Sequence, residues 1–302
     1  MNRHLASLCL CTWAGSVAAV HAQSIEPRAY ANAPVGMNFV IAGVASTNGG
    51  AAFDTLPITD PHLHTTSAVL GYARALDFWG SSGKVDVVVP YTRLSGSATY
   101  QGGPISREID GPGDPLVRMS VNIYGAPAMA LPEFRSYRQD LIVGASLQVS
   151  VPAGQYDATK LVNIGSHRWS FRPEVGASQA LGAWTLEGAA AVTLFTTNDD
   201  FFNGNRRSQD PLYSLRAHVI YNFAGGTWAS VDGTVYAGGR TTLNGVLNTD
   251  LQQNWRVGAT LALPVDARNS VKVYASNGVA ARTGNSFDLF GLAWQYRWGG
   301  GL

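Results

Sequence analysis

The sequence predicts an all-β chain that folds into one closed, antiparallel, up-and-down transmembrane β-barrel of about twelve strands. The first observation is an alternation of apolar and polar residues, which recurs along the chain and is clearest in residues 141–151 (LIVGASLQVSV). The second is a charged fraction of 14%, against a typical value of about 25%. The third is that the mature part contains no apolar run as long as the ~18 residues of a spanning helix.

Residues 1–22 have the pattern of a cleaved secretory signal peptide. Arg3 supplies the positive start, residues 5–20 form the apolar core, and a cleavage site follows at residues 20–22. The alternative, a membrane anchor, needs about 20 apolar residues. Both cysteines leave with the signal, so the mature chain should hold no disulfide and no thiolate metal site. The 21 basic and 20 acidic residues of the whole chain nearly balance, which gives no reason to expect nucleic acid as a partner.

The elements follow in order after the signal. Residues 23–36 contain two prolines and no alternation, and we expect a loose periplasmic arm there. One barrel domain should then cover residues 37–302. The predicted strands are residues 37–47, 65–79, 84–93, 115–124, 137–152, 166–180, 184–196, 211–223, 227–239, 253–263, 270–278 and 286–298.

The predicted connections are mostly long after odd strands and mostly short after even ones. This is the pattern of membrane barrels, with long loops outside the cell and short turns in the periplasm. An even strand count lets the first and last strands pair, so no open edge remains in hydrocarbon. The outer loops are expected at residues 48–64, 94–114, 197–210 and 240–252. At the other end, a helical turn is expected around residues 129–134, and Pro173 marks a weak point in its strand.

Aromatic residues on the outward face should collect at the two membrane interfaces, which amphipathic rings prefer. The predicted girdle residues are Trp169, Tyr213 and Trp255 at the outer strand ends, and Trp184, Tyr221, Phe223 and Trp298 at the inner ends. Ordinary core aromatics, the alternative, would not sort to strand ends. The last strand resembles the signal that the barrel insertion machinery reads, although residues 299–302 (GGGL) replace the usual terminal aromatic residue.

The opposite face of the strands carries charged residues and should face the lumen, because an Arg or Lys at mid-depth in lipid costs about 2–4 kcal/mol. The predicted lumen residues are Arg118, Asp140, Arg172, Glu174, Glu187, Arg216, His218, Asp232, Arg256 and Lys272, together with Arg74, Lys84, Asp86 and Arg168. They have two interpretations: they line a wet, selective path, or they brace a narrow interior through ion pairs. In the first, Arg118, Arg172, Arg216 and Arg256 form the cationic side.

A catalytic site would need a nucleophile beside a base. Ser166 and Ser170 lie near His167, and Ser214 precedes His218 by four residues on the same strand face. Four residues of strand span roughly 13 Å, too far for a direct hydrogen bond. The sequence therefore predicts no enzyme.

His62 and His64 form the one alternating histidine pair, with Asp60 nearby. Without a thiolate or a clear further ligand, this stretch is better explained as a solvated loop than as a metal site. We predict no metal and no cofactor.

Four segments carry a resemblance to a known family: residues 111–115 (GPGDP), 147–157 (LQVSVPAGQYD), 163–174 (NIGSHRWSFRPE) and 294–302 (WQYRWGGGL). With them the chain resembles the outer-membrane transporter family named for the MetA pathway of phenol degradation, over essentially the whole mature length. The resemblance implies a barrel and the uptake of aromatic or other organic compounds. It carries over no catalytic residue.

We therefore expect a porin-like channel or transporter of a Gram-negative outer membrane, for passive uptake of small organic solutes, with aromatic compounds as candidates. Outer-membrane lipid, lipopolysaccharide and the insertion machinery are the expected partners besides the solute. The alternatives are a structural or lipid-binding barrel with a closed lumen, and a barrel enzyme that modifies lipids. Conductance distinguishes the channel from the closed barrel, and substitution of His167 and His218 tests the enzyme.

Overall fold

The computed structural model describes residues 26–50, 58–100, 102–281 and 286–302. The predicted signal peptide lies outside these ranges. Within them, the helical structure consists of one short helix, α1 (Leu131–Phe134), and a 3-10 turn at Ala224–Gly226. No helix of the described residues is long and apolar enough to cross a membrane.

A closed ring of antiparallel strands forms the body of the molecule. In chain order the strands are β1 (Met37–Gly50), β2 (Ile58–Phe78), β3 (Ser81–Tyr100), β4 (Gly103–Pro112), β5 (Leu116–Tyr124), β6 (Leu141–Ser150), β7 (Ser170–Leu181), β8 (Trp184–Phe195), β9 (Asn198–Phe201), β10 (Asn205–Gln209), β11 (Leu212–Asn222), β12 (Trp228–Gly238), β13 (Thr241–Leu243), β14 (Val246–Leu247), β15 (Gln252–Pro264), β16 (Asn269–Ala281) and β17 (Ser286–Gly299). The main sheet has 13 strands, of which β4 pairs with β3 alone. The other twelve close on themselves, because β1 pairs with β17 and with β2, and β2 pairs with β3. The predicted closed barrel of about twelve strands is confirmed.

Alternate residues of each ring strand face the interior. In β11, Arg216 and His218 are buried inside the ring, whereas Leu215 and Val219 are exposed on its outer surface. Many buried side chains are polar or charged, and many large apolar side chains are exposed. A soluble protein shows the reverse distribution, so this one fits a ring with lipid outside and a polar interior.

Short turns lie at one end of the ring, together with the start of β1 and the end of β17; we call this the turn end. In the β2–β3 turn, the Gly80 N–H donates to Asp77 Oδ1 at 2.6 Å. In the β15–β16 turn, the N–H groups of Arg268 and Asn269 donate to Asp266 Oδ1 at 2.7 Å each. Such side-chain acceptors stabilise tight reversals of the chain. The connection between β5 and β6 is longer and contains α1, which confirms the predicted helical turn.

The opposite end, which we call the loop end, holds more regular structure than the sequence predicts. Residues 94–114, predicted as a loop, form much of the β3–β4 hairpin. Arg93 pairs with Glu108 across this hairpin, and the Tyr91 hydroxyl donates to Asp110 at 2.6 Å. The loop prediction is wrong because the strand signal needs an apolar face, and these strands carry polar side chains in its place.

Four other predicted segments change at the loop end. Strands β1 and β2 extend into the stretch predicted as a loop at residues 48–64. The loops predicted at residues 197–210 and 240–252 contain β9, β10, β13 and β14, which form a separate four-stranded sheet. The strand predicted from residue 166 begins only at Ser170. Its register with β8 pairs Phe171 with Leu194 and then Glu174 with Ala191, so the ladder skips Pro173, as expected for a residue without an N–H.

Residues 26–36, which we call the N-terminal segment, lie inside the ring. The backbone N–H of Gly36 donates to the Ala75 carbonyl at 3.0 Å, and that of Val35 donates to the Met129 carbonyl at 2.9 Å, so the segment is fixed at the turn end. The prediction of a loose arm is wrong for these residues; residues 23–25 of the predicted arm lie outside the described ranges. The physical reason is that a polar lumen supplies hydrogen-bond partners to a backbone that has no strand ladder of its own.

Candidate functional site

The N-terminal segment is held across the lumen by several strands of the wall. Lys84 of β3 donates from Nζ to the Ala29 carbonyl at 2.7 Å. The backbone N–H of Arg28 donates to Glu187 Oε2 on β8 at 2.7 Å, and the Arg28 guanidinium donates to the side-chain oxygen of Asn222 on β11. Lys84 and Glu187, which were both predicted to face the lumen, thus contact a segment whose position was not predicted from the sequence.

Tyr30 is the buried anchor of the segment, with 5% of its surface exposed. Its ring lies against two glycines of the wall, so that a Cβ atom added to Gly144 would be 2.2 Å from Tyr30 Cδ1 and one added to Gly176 would be 2.4 Å from Cε2. Its hydroxyl donates to Glu174 Oε1 at 3.0 Å and lies 3.4 Å from Ser146 Oγ. The two glycines therefore form a notch that only the absence of side chains leaves open.

Arg118 joins the segment to β3 through two carboxylates. Its Nε donates to Asp86 Oδ1 at 2.9 Å, and its two terminal nitrogens reach the two oxygens of Glu26. Paired twice, Arg118 acts here as a brace between the segment and the wall. This arrangement supports the bracing interpretation at this depth more than an unpaired cationic surface.

Glu174 is the centre of a second group of buried lumen contacts. It accepts hydrogen bonds from Tyr30 and from the Arg216 guanidinium, and its Oε2 lies 3.2 Å from Nη2 of Arg172. All four side chains are buried. One carboxylate thus faces two guanidinium groups, which leaves one net positive charge in a buried part of the wall.

His218 and Asp232 form a buried pair on β11 and β12. His218 Nδ1 lies 2.7 Å from Asp232 Oδ1, and Ser230 and Thr260 each donate to Asp232 Oδ2 at 3.2 Å. The carboxylate is therefore satisfied and fixes the orientation of the imidazole ring.

The serines of the enzyme alternative lie elsewhere. His167 stacks on Tyr156, with ring centroids 4.5 Å apart, and Ser166 directs its hydroxyl to Asp114 at 2.5 Å. In the described part of the chain, neither His167 nor His218 is hydrogen-bonded to a serine hydroxyl. No nucleophile–base pair is therefore assembled among these residues.

Arg256 and Lys272 extend the cationic wall onto β15 and β16. Arg256 donates from Nη1 to the Phe287 carbonyl at 3.1 Å and from Nη2 to Ser276 Oγ at 2.7 Å, and its guanidinium lies 3.8 Å from the Phe287 ring centroid. Lys272 Nζ lies 5.5 Å from the Tyr274 ring centroid. Such contacts hold a cation in place without neutralising its charge.

Two predicted lumen residues lie elsewhere. Asp140 is exposed at the turn end just before β6, where Gln179 Nε2 donates to its Oδ1 at 2.6 Å. Arg74 is exposed on the same face of β2 as Leu70 and Tyr72, which is the outer face. Both predictions assumed that every charge avoids the outer surface. Close to an interface a charged side chain can reach water, so the free-energy cost of placing it on the lipid-facing surface is small there.

The predicted girdle residues lie on the outer surface near the strand ends, where all are exposed except Tyr221, which is half-buried. At the turn end, Tyr221 packs edge-on against Trp184 and against Phe223, each with centroids 4.7 Å apart, and Trp298 stacks on Tyr296 at 5.7 Å. Nearer the loop end lie Trp169, Tyr213 and Trp255, all on the outer surface. Aromatic bands at two levels of a closed ring with an apolar outer surface are the arrangement of barrels in the bacterial outer membrane, where this chain lies.

The small sheet of β9, β10, β13 and β14 packs at the loop end. Phe201 is buried and packs with Leu243, with Leu161 and Phe202 against them. Arg207 lies with its guanidinium carbon 5.1 Å from the Phe201 ring centroid. The small sheet and Leu161 of the connection at residues 151–169 therefore pack as one layer.

The histidine pair considered as a metal site lies on β2. His62 and His64 are exposed on its outer face, and His64 Nε2 lies 3.4 Å from Thr66 Oγ1. Among the residues for which side chains are described, no group of three or more potential ligands is gathered. The side chain of Asp60 lies outside that set.

The residues that sequence reasoning missed are those of the N-terminal segment and its notch. Glu26, Arg28 and Tyr30 lie in a stretch without periodicity, and Gly144 and Gly176 read only as small inward residues. The available signal was the pair of inward glycines on neighbouring strands, at positions that face each other in register. A missing side chain on both strands of a packed wall indicates that another group fills the space.

Comparisons agree with this architecture. An outer membrane channel from Pseudomonas putida F1 has a similar structure, with a TM-score of 0.76 and 18% identity over 91% of this chain and 100% of that chain. The β domain of the Bordetella autotransporter BrkA follows, with a TM-score of 0.54 and 13% identity over 86% and 99% of the two chains. The transport unit of the Escherichia coli autotransporter AIDA-I gives 0.51 and 9%, over 91% and 92%.

These likenesses concern the fold. No curated protein matches the chain in sequence. The family model described as MetA-pathway of phenol degradation matches residues 30–296, which is most of the chain. The match begins at Tyr30 and ends within β17, so it includes the whole ring apart from the end of its last strand and covers part of the N-terminal segment. The chain therefore belongs to the MetA-pathway of phenol degradation family.

Proposed function

We propose that this barrel is an outer-membrane channel for passive uptake of small organic solutes, and that the N-terminal segment sets the width of its lumen. The observation that carries the proposal is the attachment of that segment. Apart from the backbone hydrogen bonds of Val35 and Gly36 at the turn end, it is held inside the ring by side-chain hydrogen bonds and ion pairs, such as Tyr30 to Glu174 and Lys84 to Ala29, and it contributes no strand to the wall. A segment attached in this way can move without opening the barrel.

Two further observations support a channel. The lumen wall carries charged side chains on several strands, from Asp86 and Arg118 to Arg172 and Arg256, which is how pores attract and sort polar solutes. The similar structure from Pseudomonas putida F1 is described as an outer membrane channel. The family is described by phenol degradation, which makes aromatic compounds the first candidates for the solute.

In this proposal the turn end faces the periplasm and the loop end faces outward, as the connection lengths of membrane barrels imply. The outer-membrane lipid, lipopolysaccharide and the barrel insertion machinery are the partners of the outer surface. The last strand, β17, presents Phe290, Leu292 and Trp294 outward and is the segment that the insertion machinery would read.

A second candidate function is favoured by one feature. The N-terminal segment crosses the lumen, and the layer around Phe201 and Leu243 packs at the loop end of the barrel. A barrel blocked at both places would be a structural or lipid-binding protein with a closed lumen.

The experiment is single-channel recording of the refolded full chain in a planar bilayer. Refolding is verified first by heat-modifiable migration on a gel. Discrete current steps that phenol or benzyl alcohol interrupts are expected for a solute channel. A verified barrel that passes no current, with or without solute, would favour the closed structural barrel.

A further inference from the structure

A small pocket lies in the wall on the loop-end side of Tyr30. It is bounded by β5, β6, β7 and β8 and by the connection at residues 151–169, and it is partly open to solvent. Two guanidinium groups line it, those of Arg168 and Arg172. Neither guanidinium contacts the Tyr30 hydroxyl, whose partners are Glu174 and Ser146.

Arg168 is a buried cation, with 6% of its surface exposed. Its Nη2 donates to Gln209 Oε1, and its guanidinium carbon lies 4.4 Å from the Phe195 ring centroid. Its Nη1 is buried with no hydrogen-bond partner among the residues that the structure describes. Within that same set, no carboxylate forms an ion pair with it. Burial, and then the like charge of Arg207, hold the pKa of Arg168 well below its usual value.

Arg172 provides a second cation at the pocket. It is also 6% exposed, and its one ionic contact in the described ranges is Nη2 to Glu174 Oε2 at 3.2 Å, a carboxylate that Arg216 shares. Its Nε is buried without a partner among those residues. A buried N–H that lacks an acceptor is costly, and a charged one more so, so the pocket favours an incoming anion.

The carboxylate already present in the pocket is fully engaged. Asp114 Oδ1 accepts the Gly154 N–H at 2.9 Å, and its Oδ2 accepts the N–H and the hydroxyl of Ser166 at 2.8 and 2.5 Å. These bonds fix residues 151–169 over the barrel. Asp114 therefore shapes the pocket, and its hydrogen bonds go to the connection at residues 151–169 and not to Arg168.

The rest of the lining defines the shape of ligand. Phe195, Leu116 and Ile164 offer apolar surface beside the two guanidinium groups. Guanidinium binds a carboxylate through paired N–H donors, and a flat apolar body would pack on the aliphatic and aromatic side chains. Inorganic anions satisfy the charge but leave this apolar surface unused.

We propose that this pocket is a binding site for small organic carboxylates with a flat apolar body, held by Arg168 and Arg172. The inference rests on the proposed function and specifies its solute class: the site would be an outer station on the path through the lumen. Solute would meet it before reaching Tyr30.

The test is calorimetric titration of the folded full chain in detergent with benzoate, benzyl alcohol, acetate and inorganic phosphate. Benzoate should bind about tenfold more tightly than benzyl alcohol, which lacks the charge, and than acetate, which lacks the body. Arg168→Gln and Arg172→Gln should each weaken benzoate about tenfold and leave benzyl alcohol unchanged. Arg206→Gln is the matched control, because Arg206 is an exposed loop-end arginine paired with Asp199.

Equal benzoate affinity in the wild type and Arg168→Gln would overturn the site. Phosphate binding as tight as benzoate binding would overturn the organic class and indicate a general anion site. If Arg168→Gln does not fold, Phe195→Leu is used: it should weaken benzoate more than acetate, and equal losses would overturn the proposal.

Failure of this inference and failure of the channel are separable. Calorimetry in detergent does not depend on current through the lumen. A barrel that conducts but binds no benzoate removes the site alone, whereas one that binds benzoate through Arg168 and passes no current removes the channel alone.

Discussion

The hydroxyl of Tyr30 donates to Glu174 Oε1 at 3.0 Å, across 144 residues of sequence. This bond joins the N-terminal segment to the layer of the wall that also holds Arg172 and Arg216. The segment and the charge pattern of the lumen are therefore not independent. A change that displaces Tyr30 also removes a donor from the carboxylate that both arginines share.

Gly144→Ala is expected to displace Tyr30 and raise the single-channel conductance. The added Cβ would be 2.2 Å from Tyr30 Cδ1, closer than any contact can be. Overpacking of this kind costs about 1–3 kcal/mol, enough to lower the population of the seated segment severalfold or more. The measurement is conductance in a planar bilayer, with hydrogen exchange at residues 28–31 as an independent readout of release.

Gly233→Ala is the control, since a Cβ there would meet no atom within 4 Å. The double variant Tyr30→Ala, Gly144→Ala should conduct like Tyr30→Ala alone, because the closest clash needs the ring and the other near atom, Asn122 Oδ1 at 2.9 Å, is at the end of a side chain that can shift. Unchanged conductance and exchange in Gly144→Ala would refute the notch as the seat of the segment.

The barrel could be predicted from the sequence because its signal is repeated. Each ring strand must place apolar side chains in lipid, so residues such as Leu215 and Val219 record the face and the period directly. The hairpin of β3 and β4 carries no such record. Arg93, Glu108 and Asp110 interact across it in water, where neither face has to be apolar.

The candidate site was predictable only in part, for a related reason. Inward charges such as Arg172, Glu174 and Arg216 can be identified by elimination, because lipid excludes them from the opposite face. What they bind cannot be inferred in that way. The seat of Tyr30 depends on pairing between β6 and β7 and on two absent side chains, which leave no periodic trace in the sequence.

Asp114→Ala is expected to loosen the connection at residues 151–169. The buried carboxylate accepts three hydrogen bonds, from Gly154 and from the N–H and hydroxyl of Ser166. Their loss costs on the order of 3 kcal/mol of local stability. Tryptic cleavage after the exposed Lys160 should therefore be accelerated at least severalfold, as followed by mass spectrometry.

Asp110→Ala is the matched control, because Asp110 lies on the exposed hairpin and contacts Tyr91. Its cleavage rate after Lys160 should equal that of the wild type. Equal rates in Asp114→Ala and in the wild type would show that other contacts hold the connection.

The β15–β16 turn should lose protection in acid. Hydrogen bonds from the Arg268 backbone, and from Asn269, lower the pKa of Asp266 below its usual value. A carboxyl group with a lowered pKa stabilises the folded turn above its unfolded pKa of about 3.9, and that contribution is lost as the pH falls through the folded value. Protection of the Arg268 and Asn269 amides against hydrogen exchange, corrected for intrinsic rates, should be lost on acidification below about pH 4. Asp266→Asn should remove the pH dependence, and protection that stays constant in the wild type would argue against this role.

Glu174→Gln should shift the ion selectivity of the channel toward anions. It removes the one carboxylate that Arg172 and Arg216 share, while the amide oxygen of glutamine can still accept from Tyr30. Loss of one negative charge beside the path changes the relative energy of cations and anions by on the order of 1 kcal/mol, or about fivefold in the permeability ratio. Reversal potentials in a salt gradient measure that ratio, and Glu108→Gln on the exposed hairpin is the control. Tyr30→Phe, which removes the hydroxyl and keeps the Glu174 charge, should change conductance more than selectivity.

A folded Glu174→Gln barrel with an unchanged reversal potential would mean that ions do not pass this layer of the wall. The bracing interpretation would then apply to Arg172 and Arg216 as it does to Arg118.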